Sequence, residues 1–303
     1  MSAKLIVICG ATATGKSDLA VNVATELGAT IVNADSMQIY RGMDIGTAKL
    51  SIEERRGVPH EMLDILNVKE DSNASFYQER AREIVDRLLG SNTSVVVVGG
   101  TGLYIKSLLD DLNFPDTDPV VRARLELEAL SLGGDELHKR LASLDPAAAV
   151  AIPRENIRRV VRALEVIEIT GKPFTANLPR KDSTRYPQAK QFGLRVDRAN
   201  LDERIERRVN KMFDQGFEDE VRKLIEEGLL EGTTAKAAIG YSHIIAAMEM
   251  SKQGLEVDVR AATTVATRQY ARRQETWFNR DERIHWLENT TASSQLSEVL
   301  LHI

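Results

Sequence analysis

At 303 residues, with 43% hydrophobic and 28% charged side chains, the chain can bury a large core in one or two domains. Bulk disorder is excluded. Its 40 Lys and Arg against 45 Asp and Glu leave a formal charge of −5, which excludes a globally basic nucleic-acid coat but leaves room for local basic patches. The single cysteine, Cys9, excludes an internal disulfide framework and a multi-cysteine zinc site, and it fits a reducing cytoplasm.

The first apolar run, Leu5–Cys9, is far shorter than the roughly 20 residues of a membrane span and lacks a signal-peptide cleavage pattern. It predicts a buried strand that ends at Gly10. Lys16–Leu27 predicts a helix with Leu19, Val23 and Leu27 on one face and Gly28 just beyond. Thr30–Asn33 predicts a second strand. Ser75–Leu89 predicts a helix opened by a capping box of Ser75 and Gln78 and stopped at Gly90. Ser94–Val98 predicts a continuous apolar strand ending in Gly99-Gly100. Such strands alternating with helices imply an α/β fold with a parallel sheet buried on both faces.

The middle of the chain changes character. Asn113–Pro119 is a connector rich in Pro and Asp. Helices are predicted over Val120–Leu132, Asp135–Leu144 and Asn156–Thr170, and a loop over Thr175–Gln188. A strand returns at Gln191–Val196. The periodicity of Leu201, Ile205, Val209 and Met212 predicts a helix over Leu201–Phe213, resumed at Val221–Ile225. Val259–Phe278 predicts a long Arg-rich helix and Ile284–Leu287 an edge strand. Residues 113–190 therefore read as a helical insertion in a catalytic core made of residues 1–112 and 191–303.

Gly10-Ala11-Thr12-Ala13-Thr14-Gly15-Lys16-Ser17 fits G-x-x-x-x-G-K-[ST] between a predicted strand and a predicted helix, the context that a phosphate-binding loop requires. Its glycines let backbone N–H groups turn toward phosphate oxygens. The helix N-terminus and Lys16 add positive charge, and the Ser17 hydroxyl can ligate Mg²⁺. The loop implies a polyphosphate ligand but not what becomes of it. Nucleotide hydrolases usually end a second apolar strand in an acidic residue that holds Mg²⁺. Here Val95–Val98 runs into Gly99-Gly100-Thr101, which weakens an ATPase or GTPase reading. Asp35 follows the second strand at the carboxyl edge where α/β ligands bind. Alone it can be a cap, a Mg²⁺ ligand or a general base.

Together these stretches resemble the tRNA dimethylallyltransferases, also called tRNA isopentenyltransferases. The resemblance runs in family order through Gly10–Ser17, Asp35–Arg41, Gly46–Lys49, Val58–His60, Val98–Tyr104 and Arg159–Glu165. It continues through Gly193-Leu194 with Arg198, Ile239–Tyr241, and Thr267–Gln274 with Thr276–Phe278, covering most of the chain. Ala11 and Thr14 replace the family's usual Pro and Ser, Glu61 a common His, and Ser242-His243 the usual Lys-Glu. The single cysteine excludes the zinc finger of eukaryotic members and implies the bacterial type.

The resemblance implies transfer of a dimethylallyl group from dimethylallyl diphosphate to N6 of adenosine 37, in the anticodon stem-loop of tRNA. Gly10–Ser17 and Arg198 would then hold the diphosphate, with Mg²⁺ on Ser17. Asp35 matches the family's base, and Thr101 the residue that bonds near N6. Asp35, Ser36, Met37, Gln38, Thr101, Arg122, Arg158, Arg159 and Arg162 would contact tRNA. Lacking a membrane span, the chain reads as a cytoplasmic, monomeric enzyme with no obligate protein partner. Two alternatives stay open: an isopentenyltransferase acting on free adenine nucleotide, and an ATP-dependent small-molecule kinase. His60 reads equally as a structural histidine, and Trp277-Phe278 as core.

Overall fold

Leu5–Gly10 forms a strand in which every residue is buried, as its unbroken apolar run requires for a central parallel strand. The computed structural model describes residues 2–177, 183–287 and 291–303. In chain order the elements are β1 (Leu5–Gly10), α1 (Lys16–Leu27), β2 (Thr30–Asn33), β3 (His60–Glu61), α2 (Ala74–Gly90), β4 (Val95–Gly99) and α3 (Gly102–Leu109). Next come α4 (Pro119–Leu132), α5 (Gly134–Leu144), α6 (Pro146–Ala151) and α7 (Ile157–Thr170). Then follow β5 (Lys190–Leu194), α8 (Arg198–Asp214), α9 (Phe217–Glu226), α10 (Tyr241–Lys252), α11 (Val259–Phe278), β6 (Ile284–Leu287) and α12 (Ala292–Leu301).

The strands form one six-stranded sheet of order β3-β2-β4-β1-β5-β6, and every pairing is parallel. Val7 pairs with Val97 on one side and Gln191 on the other. The chain leaves β1 toward β2, returns to insert β4 beside β1, and later places β5 on the other flank of β1. Parallel strands share one carboxyl edge, so the loops after β1, β2 and β4 open at the same end of the sheet. One face of the sheet packs an aliphatic core in which Leu19, Val23 and Ala24 of α1 meet Ile6, Ile8 and Val96. Leu287 and Val299 close it. Gly28 ends α1 in the left-handed conformation at φ 57°, its N–H bonded to the Ala24 and Thr25 carbonyls.

The chain divides into two compact units, Met1–Leu109 with Tyr186–Ile303, and Asp110–Arg185. The second has its own core, built on Leu125, Leu137, Leu141, Val160 and Leu164. No helix among the described residues is long and apolar enough to cross a membrane.

Several local expectations are corrected. α2 is capped by Asn73, whose side chain accepts from the Phe76 N–H at 2.9 Å, and not by a Ser75–Gln78 box. Gln78 instead donates to the Ser107 carbonyl on α3. α8 starts at Arg198 rather than Leu201, because Asp197 caps it by accepting from the Asn200 N–H. Within the expected loop Thr175–Gln188, Phe174–Asn177 form a 3₁₀ turn, and residues 178–182 lie outside the described residues. α3, α6, α10 and α12 were not expected.

Candidate active site

The loop after β1 curls because two of its residues take left-handed backbone, Ala13 at φ 64° and Gly15 at φ 93°. Its turn is pinned from inside, where the Thr14 hydroxyl donates to the Ala11 carbonyl at 2.9 Å. Lys16 reaches back across the loop, its Nζ 3.2 Å from the same carbonyl. Burial pushes the Lys16 ammonium down to about 8, and the like charge of Arg208 adds to the effect. Burial also lowers Arg208 from its ordinary value. These are two cations short of anionic partners. The carboxylate whose charge favours the charged form of both is Asp35.

A cavity of about 1040 Å³ opens beside the loop, and its walls include Gly15, Lys16, Ser17, Lys49, Arg204 and Arg208. Arg208 lies two turns into α8 from Leu201, at the edge of that helix's buried stripe. Sequence periodicity gave no reason to separate it from the neighbouring arginines. Its guanidinium donates to the Thr47 carbonyl at 3.2 Å. Arg198 is placed differently: it pairs with Asp202 at 2.7 Å and Glu275 at 3.4 Å and is not among the cavity walls.

The loop after β2 carries Asp35 in an Asx turn. One carboxylate oxygen accepts from the Met37 N–H at 2.9 Å, while the Asp35 N–H donates to the Asn33 side chain at 3.1 Å. The loop after β4 meets it. The Thr101 hydroxyl oxygen accepts from the Ser36 N–H at 3.0 Å and sits 3.3 Å from the Ser36 hydroxyl. Gln38 donates to the Thr47 carbonyl at 3.1 Å. Met37 is half-buried beside the cluster of Ile39, Tyr40 and Met43.

One side chain of α11 stitches the β1 and β4 loops together. Gln274 is buried; its oxygen accepts from the Thr12 N–H at 2.9 Å, and its amide donates to the Gly100 carbonyl at 2.8 Å. Glycine at 100 leaves room for that amide, since a Cβ there would meet its nitrogen and push Gln274 out of this position. Tyr270, one turn earlier, has Thr101 and Gln274 as hydrogen-bonding neighbours, and burial together with the Asp35 charge pushes its hydroxyl up to about 12. Phe278 is core as expected, but Trp277 is 41% exposed beside Gly102. His60 turns its Nδ1 onto the Val58 carbonyl at 2.8 Å, and burial lowers its pKa, a structural arrangement.

The loops thus gather Gly10–Ser17, Asp35–Gln38 and Thr101 at one sheet edge. The basic residues of the second unit behave in two ways. Arg122 and Arg162 both close on Glu165, at 2.7 and 2.8 Å. Arg158 and Arg159 are exposed on α7, and no side-chain partner holds them among the described residues. Among the described residues no cluster of three or more His, Cys, Asp or Glu could cage a metal ion.

The IPP transferase family profile matches residues 38–281. A tRNA dimethylallyltransferase of Streptomyces griseus is 55% identical over 94% of this chain and 90% of its own length. One of Mycobacterium tuberculosis is 50% identical over 95% and 93%. Among solved structures, a tRNA isopentenylpyrophosphate transferase of Bacillus halodurans superposes with a TM-score of 0.70 at 33% identity, covering 99% of this chain and 95% of that one. A eukaryotic dimethylallyltransferase acting on tRNA superposes with a TM-score of 0.81 at 25% identity, covering 99% and 78%.

Proposed function

The chain belongs to the IPP transferase family, and we propose on that premise that it moves a dimethylallyl group from dimethylallyl diphosphate to N6 of adenosine 37 in tRNA, releasing diphosphate. The observation that carries the reading is the meeting of the three loops. Two buried, under-neutralised cations, Lys16 and Arg208, feel the charge of Asp35, whose loop is joined to Thr101 through Ser36 at the carboxyl edge of the sheet.

Breaking the allylic C–O bond leaves negative charge on the diphosphate. Lys16, Arg208 and the amides of Gly10–Ser17 face that charge without first having to shed a carboxylate partner, so they stabilise it as it develops. Arg198 joins them only by leaving Asp202 and Glu275. Mg²⁺ would be held by the Ser17 hydroxyl at the cavity wall together with the incoming diphosphate, because among the described residues no cluster of three or more His, Cys, Asp or Glu could cage it. There it would neutralise leaving-group charge. A strand ending in Gly99-Gly100 is no defect here, since no water needs activating.

On the acceptor side, the N6 amine is a weak nucleophile until it loses a proton. Asp35 accepts that proton as the C–N bond forms, and Thr101 bonds to the same amine. The adenine is flipped out of its loop to reach them. Ser36, Met37 and Gln38 line its approach, and Arg158 and Arg159 bind tRNA phosphates from the insertion. Arg122 and Arg162 contribute there through Glu165 and the shape of the insertion.

The test is direct. Incubation with dimethylallyl diphosphate, Mg²⁺ and unmodified tRNA should yield a dimethylallylated adenosine by nucleoside mass analysis, and an anticodon stem-loop should serve where AMP does not. Modification of AMP alone would favour the free-nucleotide transferase. Transfer of a labelled γ-phosphate without a prenyl donor would favour the kinase.

A further inference from the structure

Glu220 lies in the first turn of α9, and its carboxylate takes four donors. One oxygen accepts from the Asp44 N–H at 3.0 Å and the Ile45 N–H at 2.7 Å. The other accepts from the Gly46 N–H at 3.1 Å and the Tyr241 hydroxyl at 2.5 Å. Three successive backbone amides on one carboxylate fix the path of the loop. Phe217 and Tyr241, edge to face with ring centroids 4.9 Å apart, form the floor beneath it. The loop lies close on that floor, and a Cβ at Gly46 would run into both rings.

One residue beyond the anchored amides is Thr47. Its carbonyl accepts from Arg208 at 3.2 Å and from Gln38 at 3.1 Å. One fixed carbonyl therefore holds a guanidinium of the cavity wall and a side chain of the Asp35–Gln38 segment. Resting on the reading that this cavity holds the diphosphate, we propose that Glu220, seconded by Tyr241, is a positioning residue. It sets the Thr47 carbonyl, and through it Arg208, for the donor. Glu220 itself does not line the cavity. A Gln in its place keeps the size, but its amide nitrogen cannot accept, so two of the four bonds lose their acceptor.

The test uses Glu220→Gln and Tyr241→Phe in the full chain, with donor KM and kcat measured at saturating tRNA. Glu220→Gln should raise donor KM by roughly 10-fold, the scale of a displaced binding group, and Tyr241→Phe should shift it less in the same direction. Repeating both in an Arg208→Lys background, which keeps the charge but not the fork, separates positioning from general loosening. If the effect runs through Arg208, it should shrink to under about twofold there. An unchanged donor KM, or an equal effect in both backgrounds, overturns the proposal. Should Glu220→Gln not fold, Tyr241→Phe with the same cycle decides alone. Lys16→Ala separates the two levels. If it leaves donor use intact, the diphosphate site itself is misplaced. If it removes donor use while Glu220→Gln and Tyr241→Phe are silent, only the positioning role falls.

Discussion

The guanidinium of Arg122 meets the carboxylate of Glu165 at 2.7 Å, and that carboxylate is wholly buried. Arg162 reaches the same group from one turn away, and the Asp118 N–H donates to its other oxygen. These contacts hold the Glu165 carboxyl below the usual carboxylate range against the cost of burial. Removing either arginine leaves a buried charge short of partners. Arg122→Ala should lower the stability of the insertion by on the order of 1–3 kcal/mol, read as a loss in the denaturant midpoint. Arg158→Ala with Arg159→Ala should leave that midpoint unchanged. It should weaken tRNA binding and flatten its salt dependence by roughly one slope unit per lost phosphate contact. Equal effects of the two sets on tRNA affinity at equal stability would contradict this division.

That division was invisible in the sequence. Arg158, Arg159 and Arg162 look alike by spacing, and only the approach of Glu165, Pro115 and Asp116 commits the third. Legibility followed whether a signal was local. The β1–loop–α1 unit is written in neighbouring residues, and α1 spans Lys16–Leu27 as its apolar face and Gly28 predict. β6 likewise falls on Ile284–Leu287, as expected. Arg208 and Gln274 reach the candidate site through partners 161 and 262 residues away, a relation no window of sequence can show. α6 was readable, since Asp145 caps it with Pro146 in the first turn, but six residues give too little periodicity to notice.

Lys16 should make donor binding pH-dependent. Burial lowers its pKa from 10.5 to about 8 in the fold, so charging it there is disfavoured. The unfolded chain binds that proton more tightly, and this one group therefore adds stability as pH rises from about 8 to 10.5. An arriving diphosphate reverses the preference and raises the pKa. Above pH 8, donor binding should take up a proton and weaken with each further pH unit. Calorimetry in buffers of different ionisation enthalpy measures the uptake directly. Binding without uptake at pH 9 would show that Lys16 does not face the diphosphate. Lys16→Ala should abolish the uptake and cost on the order of 2–4 kcal/mol of transition-state stabilisation.

Gln274 should matter for geometry rather than charge. It satisfies Thr12 in the phosphate loop and Gly100 at the end of β4 with one amide. Gln274→Glu can still accept from Thr12 but cannot donate to Gly100, and it adds a negative charge beside the loop proposed to hold the diphosphate. Its donor affinity should fall more than that of Gln274→Ala, while Gln274→Ala should lose about 1–3 kcal/mol of stability from its unpaired buried groups. Donor titration and thermal unfolding of both variants test this. The opposite order of donor affinities would place the diphosphate away from Gln274.

Asp35→Asn isolates the proposed base. In the fold one Asp35 oxygen accepts from the Met37 N–H, and the backbone N–H of Asp35 binds Asn33. Asn keeps the size and can keep both bonds, so the turn survives while charge and basicity go. If Asp35 serves only that turn, the variant should be close to fully active, since Asn is among the best residues there. If the carboxylate takes the N6 proton, kcat should fall by about 10²–10⁴-fold, the usual contribution of a positioned acid–base group. Affinity for tRNA should change far less. A loss through Mg²⁺ has its own signature, partial rescue at raised Mg²⁺. The charge has a second effect, because Asp35 favours the charged forms of Lys16 and Arg208. Its removal should move the Lys16 titration lower, so donor affinity should begin to decline at a lower pH in the variant. A kcat loss that Mg²⁺ does not relieve, together with that shift, assigns Asp35 to the reacting amine. A near-normal kcat at ordinary Mg²⁺ removes the base role.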